Sequence, residues 1–232
     1  QGRLAMGPWY VQPDEFIPSG ESLLRNLQEG MRVAARLGQV SKVGFLCDIF
    51  GHTGQMPQML QGMGIESAIV WRGTNEKNTG SCFRWESPDG SQVLAYRFGP
   101  SWGYGDFTYR GRSPFDLKTS FDQEGLFKLI DRYIEVQKAR GPQGLPILIF
   151  DGSDHLEIEP GLLELLGPQG QEATSLPVTM GTLDDFTREM AAREDLIGTT
   201  ITGELREPGQ PMVKDSVHDS WHEGDDSVWI IP

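Results

Sequence analysis

The chain has 232 residues, with 20 Lys and Arg against 33 Asp and Glu, so its formal charge is −13. That length suffices for one large domain with a real core, and an acidic chain without a basic stripe argues against nucleic acid or an anionic membrane surface as partners. No run reaches the roughly 18 apolar residues of a transmembrane helix, and the two cysteines, Cys47 and Cys82, fit a reducing compartment, so a cytoplasmic protein is expected.

Residues 1–20 are rich in Gly, Pro and aromatics and read as a loop leaving a strand. Leu23, Leu24, Leu27, Met31, Val33, Ala34 and Leu37 then fall near helical spacing, which predicts a helix over 21–37 closed by Gly38. A short apolar strand over 42–47 runs into Asp48. A helix over 56–63 opens with Pro57 in an early position, and a second strand over 65–71 ends on Arg72. Pro88-Asp89-Gly90 between 83–86 and 92–98 predicts a β-hairpin. A Gly/aromatic loop over 102–112 precedes a long amphipathic helix over 117–139. The most apolar strand, 145–150, ends on Asp151-Gly152-Ser153-Asp154-His155. Beyond it we expect a helix around 162–166, a strand at 176–180, a helix over 183–192 and a last strand over 199–205. Mostly apolar strands alternating with helices predict a largely parallel sheet, in a barrel-like or doubly wound α/β domain.

In such folds the working side chains sit just past the carboxyl ends of strands. Three predicted strand ends carry charge there: Asp48, Arg72 and the pair Asp151/Asp154. Asp48 suits a carboxylate nucleophile or metal ligand, and equally a helix cap. Asp154 suits a general acid/base, with His155 orienting it; two carboxylates on facing strand ends are the minimum equipment of a glycosidase. Arg72 suits a partner of the nucleophile or a substrate contact, or a structural ion pair. His52 reads as a metal ligand or as a hydrogen-bonded structural residue. Trp9, Tyr10, Trp71, Trp85, Trp102 and Tyr104 can stack on sugar rings, although packing explains more of them. His218 and His222 have i, i+4 spacing, but their surroundings make a poor helix.

Residues 7–26, 43–58 (VGFLCDIFGHTGQMPQ), 64–73 (GIESAIVWRG), 85–91 (WESPDGS) and 152–155 (GSDH), with 181–186 and 203–206 after them, resemble glycoside hydrolase family 38. This is the family of zinc-dependent α-mannosidases; the flavour is bacterial, near its mannosylglycerate hydrolase branch. The resemblance implies a retaining enzyme on an α/β barrel. Asp48 would be nucleophile and zinc ligand, Asp154 acid/base, and Arg72 the neighbour of nucleophile and sugar. Phe50 would wall the sugar subsite, Tyr104 would be an active-site tyrosine, and His155 would sit beside the substrate. The implied partner is a carbohydrate, an α-mannoside, and a homo-oligomer is compatible with the sequence.

The departures from the family pattern shape the expectation. The family's zinc is held by a His-x-Asp pair on the first barrel strand, by the nucleophile and by a later His. No His-x-Asp occurs in this chain, which opens on Gln1, and only Asp48 matches a ligand position. The expectation is therefore a partial catalytic barrel over 1–207 lacking its first strand, followed by a divergent or truncated, poorly ordered tail over 208–232. Taken alone, such a chain should bind zinc weakly or not at all and lack turnover. The rival readings are a barrel-type metal-dependent carbohydrate deacetylase and a non-catalytic carbohydrate-binding homologue.

Overall fold

Strands in this chain are short and apolar on both faces, and the architecture follows from what covers each face. The computed structural model describes residues 4–74, 76–99, 103–108, 123–154, 162, 166 and 174–206. In chain order the elements are β1 (Ala5–Met6), α1 (Gly20–Leu37), β2 (Gln39–Val40), β3 (Val43–Leu46), α2 (Met56–Gly62), β4 (Ser67–Val70), α3 (Glu76–Thr79), β5 (Cys82–Glu86), β6 (Gln92–Arg97), α4 (Gln123–Lys138), α5 (Leu183–Ala191) and β7 (Thr200–Thr202). Five strands form one sheet in the order β3-β4-β6-β5-β7, and β1 pairs with β2 in a separate parallel pair.

Within the large sheet β3, β4 and β6 run parallel, with Leu46 opposite Val70 and Val70 opposite Arg97. The β5–β6 hairpin is antiparallel, as its Pro-Asp-Gly turn predicts, and β7 joins the outer side of β5 in parallel. Among the described residues the sheet is open, so the structure shows a mixed α/β arrangement and no closed barrel.

Alternation along the strands sorts the core into two layers. Leu46, Ala68, Val70, Phe83, Trp85, Val93 and Ala95 face one way and pack with Leu27 of α1 and with Met56 and Leu60 of α2. Val43, Ile69, Cys82, Tyr96 and Phe98 face the other way, towards Met190 of α5 and Ile197. Burial on both faces is why these strands read as continuous apolar runs. Each fully buried Leu or Ile here is worth about 1.5–3 kcal/mol relative to exposure.

Local sequence explains the helix ends. Ser19 caps α1 by accepting the Ser22 N–H, and Thr182 and Asp185 form a reciprocal capping box on α5. Loop 8–10 crosses directly over α1 at Gly30, where a Cβ would lie 2.2 Å from the Pro8 carbonyl oxygen. Asn26 of α1 fastens the same loop, accepting from Tyr10 and Val11 N–H and donating to Val11 O.

Two predicted strands are absent. Residues 145–150 form no ladder. Their alternate side chains divide between two cores: Leu148 and Phe150 pack towards α5, and Ile147 and Ile149 towards Leu126, Ile130 and Ile134 of α4. Pro146 lacks the N–H that a ladder would need, and among the described residues this continuous apolar run packs its side chains into two cores. Residues 176–180 likewise form no strand; Pro177 sits within them, and Val178 packs against the α4 cluster. The expected helix at 162–166 and the tail over 208–232 fall largely or wholly outside the described residues.

Candidate active site

Because β3, β4 and β6 are parallel, their carboxyl ends share one edge, and the segments leaving them meet there. A cleft of about 370 Å³ opens at that edge, lined by Gln12, Phe45, Cys47, Asp48, Tyr104, Phe150, Gly152, Ser153 and Asp154. The two acids singled out in the sequence thus line one cavity. Phe45 and Phe150 form an apolar side of it, their rings 5.7 Å apart and stacked at 28°.

Asp48 follows β3 and Arg72 follows β4. Arg72 Nε donates to Asp48 Oδ1 at 2.6 Å, with Asp48 about one-third exposed and Arg72 nearly buried. The guanidinium also lies 4.0 Å from the Trp71 ring centroid and 4.3 Å from that of Phe50. Arg72 is therefore held from several directions and presents a fixed charge to the carboxylate. Phe50 is placed against this guanidinium and not among the cleft-lining residues.

Tyr104 lies in a single 3₁₀ turn, Gly103–Gly105, and donates from its hydroxyl to Asp154 Oδ2 at 3.0 Å. Burial, reinforced by the negative charge of Asp48 and by the hydrogen bond to Asp154, pushes its phenol well above the usual tyrosine range, so the group remains a donor. The ring meets Trp71 edge-on at 5.8 Å. Gly103 makes this possible: its φ is +52°, and a Cβ there would lie 2.2 Å from the Trp71 ring. The loop carrying Asp154 is tied down by Thr108, whose hydroxyl lies 3.1 Å from Asp151 Oδ1 and accepts the Gly152 N–H at 3.0 Å.

Sequence reasoning missed Gln12 and the Glu15–His52 pair. Gln12 reaches the cleft from the loop after β1 and donates to Phe45 O at 3.2 Å. Its amide also faces Cys47 Sγ, whose thiol is pushed up to about 12, chiefly by burial. No local pattern marks such a contact, because its partner lies 33 residues away. Of the two readings of His52, the structure shows the hydrogen-bonded one: it is fully buried against Glu15 and meets Trp85 edge-on at 5.6 Å. Trp71 and Trp85 are core residues. His155, Trp102, His218 and His222 lie outside the described residues.

Among the described residues no three His, Cys, Asp or Glu side chains come together as a metal site. Asp48 contributes one carboxylate where catalytic zinc takes about three protein ligands, so the described donors do not by themselves fit a zinc centre. No helix among them is long and apolar enough to cross a membrane. A larger groove of about 580 Å³ lies at the opposite edge of the sheet, where Asp184 accepts from Ser41 and Lys42, and Arg84 donates to the carbonyls of Ile197 and Glu194.

Comparison with known proteins identifies the family of the chain. The family model described as the glycosyl hydrolases family 38 N-terminal domain matches residues 1–201. A protein of Halalkalibacterium halodurans that carries a provisional mannosylglycerate hydrolase name is 25% identical over 88% of this chain and 23% of its own length. Alpha-mannosidase G of Dictyostelium discoideum is 40% identical over 39% of this chain and 9% of its own. The crystal structure of an alpha-mannosidase from Enterococcus faecalis V583 superimposes with a TM-score of 0.72 at 23% identity, covering 88% of this chain and 22% of that one. The chain thus spans less than a quarter of the length of each relative.

Proposed function

The chain belongs to the glycosyl hydrolase family 38 N-terminal domains, and from that membership we propose that it supplies the catalytic carboxylates of an enzyme that hydrolyses α-mannosides with retention. The observation that carries this reading is the convergence of Asp48 and Asp154 on one cleft, with Arg72 on the first and Tyr104 on the second. In the first step an Asp48 carboxylate oxygen bonds to the anomeric carbon while the bond to the leaving oxygen breaks. Asp154 gives that oxygen its proton. In the second step Asp154 takes a proton from water, the water oxygen bonds to the anomeric carbon, and the bond to Asp48 breaks. Arg72 holds Asp48 Oδ1 and orients the carboxylate, and Tyr104 does the same for Asp154. The stacked Phe45 and Phe150 rings offer the apolar surface on which a sugar face packs.

We read the open sheet as part of a (β/α) barrel, a fold whose sites lie at the carboxyl edge of the strands. Zinc enters this reading only as a group that Asp48 would ligate, and no step is assigned to it. That no three metal donors come together among the described residues favours one second reading, a homologue that binds carbohydrate without turnover.

The test is hydrolysis of a chromogenic α-mannoside with added zinc by the whole protein that carries this domain, comparing wild type with Asp48→Asn and Asp154→Asn. Loss of turnover in both, with folding intact and a glycosyl adduct trapped on the Asp48 peptide, supports the proposal. Turnover undiminished by Asp48→Asn overturns it, and sugar binding without turnover in the wild type favours the second reading.

A further inference from the structure

We propose that Glu15 and His52 form a positioning couple that fixes the placement of Asp48 in the cleft; this rests on Asp48 being the reacting carboxylate. Both side chains are fully buried, and His52 Nδ1 lies 2.7 Å from Glu15 Oε1. With a carboxylate as its partner the ring nitrogen is the donor. The second oxygen of Glu15 accepts the Thr53 N–H at 2.8 Å. One carboxylate thus grips two successive residues of the segment that starts at Asp48. A buried carboxylate is held this way only where both oxygens are satisfied.

The couple joins two segments that each bring a residue to the cleft. Glu15 stands three residues past Gln12, and His52 four residues past Asp48. Other contacts hold the same segments: Arg72 takes Asp48 and Phe50, Ile49 is buried in the core, and Gln12 donates to Phe45 O. The first segment is fastened at Tyr10 and Val11 by Asn26, and the second is held through His52 by paired backbone hydrogen bonds with Leu205. Cutting the Glu15 contact therefore loosens the His52–Thr53 end of the stretch that begins at Asp48, on the side facing the Gln12 segment. Glu15 and His52 do not line the cleft themselves, so they act through Asp48 as positioning residues.

The Arg72 Nε–H is a direct reporter, because it donates to Asp48 Oδ1 from a nearly buried side chain. Its solvent exchange is measured by NMR on the whole ¹⁵N-labelled chain, with Asp48→Asn setting the scale for a broken contact. Glu15→Gln keeps the volume but turns an amide N–H towards one of the two donors, and His52→Phe removes the donor. Both should speed the exchange by about tenfold or more, the effect of losing a charge-assisted hydrogen bond. His52→Asn, which keeps a donor near the Nδ1 position, should restore much of the protection. Glu15→Asp, the mildest change, provides a folded member of the series. Thr182→Ala, which weakens α5 away from the cleft, controls for general loss of stability.

Wild-type exchange in Glu15→Gln or His52→Phe, whatever their melting temperatures, overturns the proposal. So does equal exchange in His52→Asn and His52→Phe. Turnover is followed separately in the whole protein: its absence there defeats the catalytic reading, while the Arg72 signal still decides whether the couple positions Asp48. Where turnover is present, kcat should fall in Glu15→Gln with little change in KM.

Discussion

Replacing Gly103 by Ala should destabilise the chain from within the candidate site. The residue has φ +52°, and an added Cβ would fall 2.2 Å from Trp71 Cδ2 and 2.5 Å from Cε2. A left-handed backbone costs an alanine about 1–2 kcal/mol. Moving the indole by more than an ångström adds an overpacking cost of about 1–3 kcal/mol. The ring cannot retreat freely, since Arg72 lies 4.0 Å from its centroid and Tyr104 meets its edge. The sum is about 2–5 kcal/mol, which in a chain of this size lowers Tm by about 5–20 °C. Near-UV circular dichroism and calorimetry measure both parts, the tryptophan environment and the melting temperature. Gly62→Ala is the matched control: it ends α2, nothing lies within 4 Å of its added Cβ, and it should be neutral or slightly stabilising. Melting of Gly103→Ala together with the wild type would refute the packing argument.

Three further outcomes are expected. Burial raises Cys47 from 9.0 to about 12 and Cys82 from 9.0 to about 11, so above pH 9 the unfolded thiols release protons that the folded ones keep. Stability should be unaffected by these thiols below pH 9 and should fall as pH rises from there towards 11 and 12; equal denaturant midpoints at pH 8 and pH 10 would contradict this. Thr182→Ala removes one half of the capping box and should cost about 1 kcal/mol in chemical denaturation, with no change expected only if the cap is idle. Zinc measured after dialysis of the 232-residue chain should be clearly substoichiometric, since Asp48 is one donor of about three required; full stoichiometric retention would show that donors outside the described residues complete a site.

The parts of the site that could be read from the sequence are those governed by a local rule. Asp48 and Arg72 each follow an apolar strand, and parallel strands bring their carboxyl ends to one edge, so their meeting is a consequence of topology. The hairpin was legible because Pro88-Asp89-Gly90 stands between two β-rich runs. What remained hidden depends on partners far along the chain. Glu15 and His52 are 37 residues apart in loops without periodicity, and neither residue type is unusual in a loop. Segment 145–150 has the continuous apolar character of a buried strand, but whether such a run is met by a ladder or by two flanking cores is decided by neighbours no local window contains. Phe50 follows the same logic: its place under Arg72 arises from the approach of two loops, not from its own motif.

The pairing of β7 with β5 also sets an order of events during synthesis. Thr202 bonds to Glu86 across 116 residues of chain, and Leu205 closes backbone bonds onto His52. At about 5–20 residues per second, the first four strands of the sheet wait on the order of ten seconds for the fifth. During that interval the outer edge of β5 has no strand beside it, and the segment bearing Asp48 lacks its Leu205 clasp. A nascent chain that stalls before residue 200 would therefore offer a receptive strand edge to whatever is nearby, which makes the tail of this short sheet a determinant of yield as much as of form.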